Sequence, residues 1–168
     1  MPSSRPRIEF AVSYRTLKTL GLAALCGVRS LGPPALLARS VQRGRVGGLD
    51  SPPFNRLGPA ANALLILMAG EMLADKTSLV PARTSAGPAI GRALSGAFVG
   101  AAMFAADGRR GAPGAVSGGV SALAGLYAAD RARKQAAKHL PDPLWGVLED
   151  ILVLLAGSTL TRKDAEQS

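Results

Sequence analysis

Apolar residues along this chain gather into five runs, each set off by a polar, charged or Gly/Pro-rich gap. The runs are Thr16 to Leu31, Leu57 to Ala74, Gly87 to Ala106, Ala112 to Ala129 and Pro143 to Leu160. None alternates with period two, so the pattern predicts helices rather than strands. Each is near the roughly 17–25 residues that cross a bilayer. Only the fourth lies in a long charge-free window, between Arg110 and Asp130. The second, third and fifth reach that length by including Glu71, by including Arg92, and by including Glu149 with Asp150. The first is the shortest and contains Arg29. Gly32, Pro33 and Pro34 interrupt it before ALLARS resumes, which marks it as a candidate re-entrant or interfacial helix. The gap from Ser40 to Arg56 holds several Gly and Pro residues and reads as irregular. The third and fourth runs end in similar words, AADGRR and AADRAR, which read as two similar helix ends.

The expected fold is all-α: a polytopic membrane bundle of about four to five Gly/Ala-rich helices, the first a candidate re-entrant segment. Residues 1–15 form a polar tail, 16–161 a single transmembrane helical domain and 162–168 a second tail. Composition leans the same way. Of 168 residues, 48% are hydrophobic and only 18% charged. About 25% charged is usual for a soluble domain. The mean hydropathy of +0.21 is modest because the apolar residues are largely Ala.

A net charge of +9 and a pI near 10.8 raise the question of nucleic acid. Aromatics are only 4% and the basic residues sit in nearly every hydrophilic gap, so the stacking platform of a nucleic-acid binder is missing. Lys and Arg at helix ends suit a bilayer with anionic headgroups. The expected location is the membrane, a bacterial plasma membrane, with lipid and a second copy of the chain as candidate partners. One cysteine, Cys26, and one histidine, His139, allow neither an internal disulfide nor a Cys/His zinc site. No phosphate loop, nucleophile elbow or HExxH motif is present. Neither an enzyme nor a cofactor site is therefore expected.

Two sets of residues stand out. Gly87, Gly91 and Ser95 recur every four residues, as do Gly96 and Gly100, and Gly114, Gly118 and Ala122. Small residues four apart let helix backbones approach closely, which matters in lipid because no hydrophobic effect drives helices together. The simplest contact is between the third and fourth segments. The second set is charged: Arg29, Glu71, Asp75, Lys76, Arg92, Glu149 and Asp150 lie within or beside apolar runs. A charge at bilayer mid-depth costs at least about 2.5–3.5 kcal/mol, so such groups pair or line a wet cavity. Pairing predicts a buried network that fixes helix register, with the second and fifth segments facing each other near the acids and at least one Arg between them. A wet cavity would instead predict a small-solute, ion or proton-coupled transporter or channel. The acids are also a weak candidate for holding a cation.

At these motifs the chain resembles an uncharacterised family of mostly bacterial membrane proteins, catalogued as domain of unknown function 4126. GVRSLGPPALLAR carries Gly27, Arg29, Ser30, Pro34 and Ala35 in a G-x-R-S-x-x-x-P-A pattern. GEMLADKTSLVPAR carries a G-E-x-x-A-D-K block from Gly70 to Lys76, followed by P-x-R at Pro81 and Arg83. GRALSGAFVGAA and LPDPLWGVLEDILVL complete the likeness. The resemblance implies a membrane location and no known activity.

Overall fold

The computed structural model describes residues 14–74, 85–136 and 142–161. All regular structure among them is helical: α1 (Tyr14–Val28), α2 (Gly32–Gln42), α3 (Leu57–Ala74), α4 (Ala86–Ala106), α5 (Gly111–Ala136) and α6 (Asp142–Leu160), with a single 3-10 turn at Phe54–Arg56. The five apolar runs correspond to α1 and α3 to α6, and the segment after the proline pair forms α2.

The break between α1 and α2 follows from the sequence. Backbone bonding of α1 runs on to Arg29, whose N–H donates to the Leu25 carbonyl at 2.9 Å. Gly32 then opens α2 with Pro33 and Pro34 in its first turn, where a missing N–H leaves no bond unmade. α2 turns back alongside α1. At 15 and 11 residues the two helices are about 22 and 16 Å long. Neither reaches the ~30 Å thickness of a bilayer core. They form a helical hairpin whose tip is Arg29, Ser30 and Leu31.

The hairpin and α3 to α6 can be placed end to end. Near the start of α1, the Arg15 guanidinium pairs with Asp107 at 3.0 Å and Arg109 donates to the Thr16 hydroxyl at 3.1 Å. The α2–α3 connection lies at this same end, with Gly48 packed on the Ala106 carbonyl and Gly58 beside Gln42. At Gly48 the backbone has φ +75° and a Cβ would stand 2.8 Å from that carbonyl, so glycine is required twice over. α4 thus ends where α1 begins, α5 runs parallel to α1, and α6 runs back against it. Gly157 of α6 meets Leu36, and Leu160 meets Gly21.

α4 and α5 make the closest helix pair. Built Cβ atoms at Gly96, Gly100, Gly114 and Gly118 would lie 2.6, 2.1, 2.4 and 2.2 Å from a carbonyl oxygen of the facing helix. A second contact joins α1 to α5, where Gly27 and Gly125 would meet backbone at 2.1 Å. The first small-residue stripe behaves differently. Among the described residues nothing stands within 4 Å of a Cβ built at Gly87 or Gly91, and Ser95 lines an open groove. The expected packing of Gly87, Gly91 and Ser95 is therefore corrected: α5 takes the α4 face bearing Gly96 and Gly100, which leaves the other stripe facing outward. The matching AADGRR and AADRAR words also part company. α4 stops at Ala106 because Gly108 adopts φ +69°, whereas α5 continues six residues past Asp130. There a Lys134–Asp130 pair at 2.6 Å spans one helical turn.

Leu22, Leu37, Val99, Leu126 and Val153 fill a buried core, but much of the interior is small and many large apolar residues lie outside it. Small residues such as Ala23, Cys26, Ala35, Ala38 and Ala122 are fully buried, and so are a few charges. Large apolar residues point outward from every helix except α2: Leu17, Ile66, Leu94, Val116, Leu155 and others are more than half exposed. α4 is, among the described residues, the one helix long and apolar enough to cross a membrane.

Candidate functional site

The buried charges converge on the hairpin tip. The tip exposes N–H groups that helix geometry leaves without intrahelical acceptors. α2 has no side-chain cap of its own, because its N-cap residue is Leu31. Glu71, reaching over from α3, supplies one. Its Oε1 accepts the Ser30 N–H at 2.8 Å and the Ser30 hydroxyl at 2.6 Å, and its Oε2 accepts the Leu31 N–H at 2.8 Å. A carboxylate at the N-terminus of α2 also meets the positive end of that helix dipole.

On the other side of the tip stands α6. Arg29, only 1% exposed, places Nη2 2.7 Å from Asp150 Oδ1. Glu149, at 5%, uses both carboxylate oxygens: Oε1 accepts from the Trp145 indole at 3.0 Å, and Oε2 lies 3.6 Å from Arg133 of α5. Arg92 of α4 is buried at 4% exposure. Arg29, Glu71 and Arg92 are each fourteen or fifteen residues from the shared end of their helices. At 1.5 Å per residue that places all three about 21–22 Å from that end. The charges form a layer at one depth, well inside the bundle.

The arrangement departs from expectation in its pairings. α3 and α6 do not face each other across the acids; the hairpin tip lies between them, taking Glu71 on one side and Asp150 on the other. Among the described residues Arg29 pairs with Asp150, and Arg133 with Glu149. Ser30, Arg133 and Trp145 were not foreseen as members. Trp145 carried a readable signal, four residues before Glu149 on the same helix face. Ser30 and Arg133 carried none, since tertiary packing alone brings them in. Asp75 and Lys76 lie outside the described residues. Among the described residues no group of three His, Cys, Asp or Glu is placed to hold a metal ion.

A groove of about 420 Å³ opens between α2, α3 and α4, walled by Leu31, Pro34, Leu64, Leu94 and Phe98 with Arg56 at one end. Neither Glu71 nor Glu149 lines it. Chemically, the charge layer ties Glu71 to the hairpin tip, Asp150 to Arg29 and Glu149 to Trp145 and Arg133, contacts suited to holding helices in register. No family model matches this chain, and no curated protein or solved structure matches it.

Proposed function

We propose that this chain is a multi-pass integral membrane protein with a structural or interaction role. In this reading α3 to α6 cross the bilayer, and the α1–α2 hairpin enters and leaves by one face, clamped by the Glu/Asp–Arg layer. The observation that carries it is the set of large apolar side chains facing outward while Arg29, Arg92, Glu149 and Asp150 are turned inward. Large apolar groups facing outward on five helices would cost a soluble protein their hydration, whereas lipid accepts them. Charges turned inward and paired are what a bilayer demands.

The topology has an orientation. Among the described residues, Arg15, Lys18, Arg39, Arg43, Arg45, Arg56, Arg109 and Arg110 belong to the end where α1 begins. Arg131, Arg133 and Lys134 belong to the opposite end. By the positive-inside bias the first end faces the cytoplasm.

The transporter reading draws on one observation, the pair of short helices meeting at a charged layer inside the bundle. The engagement of both carboxylate oxygens on Glu71 and on Glu149 favours the structural role instead. Reconstitution into liposomes separates the two. The structural role predicts proton and ion flux no greater than in empty vesicles. Flux that disappears in Glu149→Gln would establish the transporter.

A further inference from the structure

We propose that the groove between α2, α3 and α4 is a lipid site that takes one acyl chain of an anionic phospholipid, with its phosphate on Arg56. The inference rests on the membrane reading above. The walls are apolar, and at about 420 Å³ the groove matches one fatty acyl chain in volume. It is also open along its side, as a chain entering from surrounding lipid requires. Arg56 and Leu64 are eight residues apart on the turn and helix that form one wall. That gives about 12 Å along this wall from Arg56 to Leu64.

In lipid the apolar walls give no hydrophobic preference, because every acyl chain is equally dry. They do favour occupation over a void, whose lining would lose its dispersion contacts. Selection must then come from the head. Arg56 is exposed, has no ion-pair partner among the described residues, and stands where the groove begins. Arg43 follows Gln42, which packs against Gly58, so a second guanidinium belongs to the same end. The planar fork of Arg suits two phosphate oxygens at once. Phe54 and Phe98, with ring centroids 5.7 Å apart, place aromatic surface beside that end.

The test uses the full chain purified in mild detergent. Retained lipid is measured by native mass spectrometry after exchange with phosphatidylglycerol or phosphatidylcholine. The wild type is expected to prefer the anionic lipid about fivefold, the worth of one arginine near a charged headgroup. Arg56→Gln should abolish that preference, while Arg131→Gln at the opposite end should leave it intact. Ala60→Trp and Leu94→Trp fill the groove from opposite walls and should each lower retention of both lipids. Unchanged retention in both filled variants overturns the proposal. So does a preference that survives Arg56→Gln or falls equally in Arg131→Gln. Release of the protein from membranes by an alkaline wash would instead overturn the membrane reading beneath it.

Discussion

Among the described residues Arg29 is the largest fully buried side chain, and its guanidinium ends 2.7 Å from Asp150. Removing one partner of such a pair strands the other charge in a low dielectric. Arg29→Ala should therefore cost about 3–5 kcal/mol, and adding Asp150→Asn should restore part of it. Thermal unfolding in detergent of both single variants and the double variant measures this coupling; additive losses would mean that the two side chains stabilise the fold independently. Glycines make a second residue-scale contrast. A methyl at Gly118 would stand 2.2 Å from the Gly96 carbonyl, so Gly118→Ala should cost about 1–3 kcal/mol by forcing α4 and α5 apart. Gly91 has open space around it, so Gly91→Ala should be neutral or gain up to about 1 kcal/mol of helix propensity. Equal melting temperatures for these two variants would refute the α4–α5 contact. Sequence spacing picked out both glycines alike. It could not say which stripe meets a neighbour, because that depends on the rotation of α4 against α5. The buried charges were legible for a different reason: an acid or a base inside an apolar run must be paired or hydrated. Their partners were not, since Ser30 enters the layer from the hairpin tip and Arg133 from α5.

At the scale of the element, the hairpin is the least self-sufficient part of the fold. Its two helices are short, and the N–H groups at its tip depend on a carboxylate from α3. Glu71→Ala should leave those donors without their acceptor and cost about 1–3 kcal/mol per unsatisfied group. Glu71→Gln keeps an acceptor but loses the charge and should cost less. Hydrogen exchange should show the Ser30 and Leu31 amides losing protection in Glu71→Ala while the α4–α5 amides keep theirs. Uniform loss throughout the bundle would mean that Glu71 supports the whole core rather than the tip. The hairpin break could be read directly from Pro33 and Pro34, whose rings cannot continue α1. The end of α5 could not be read from its AAD word. Only the glycine after Asp107 distinguishes a stop from a continuation.

For the whole molecule, the arginine-rich end and the inward charges describe a protein arranged for two different surroundings. In the orientation proposed, Cys introduced at Ser51 lies on the cytoplasmic side and Cys introduced at Ala132 on the outer side, both in a Cys26→Ala background. An impermeant maleimide should label the Ala132 variant in intact bacterial cells and the Ser51 variant only after permeabilisation. The reverse pattern would invert the topology. In the membrane reading proposed above, hydropathy alone understates the case, because Ala and Gly fill the helices and charges dilute them. Burial adds to it, with Ile66, Leu94 and Leu155 exposed while Arg29, Arg92 and Glu149 are buried. The most direct measurement is fractionation of cells expressing the full chain, followed by high-salt and alkaline washes. The account predicts that the protein stays in the membrane pellet through both and leaves it only in detergent. Recovery in the supernatant after the alkaline wash would contradict it.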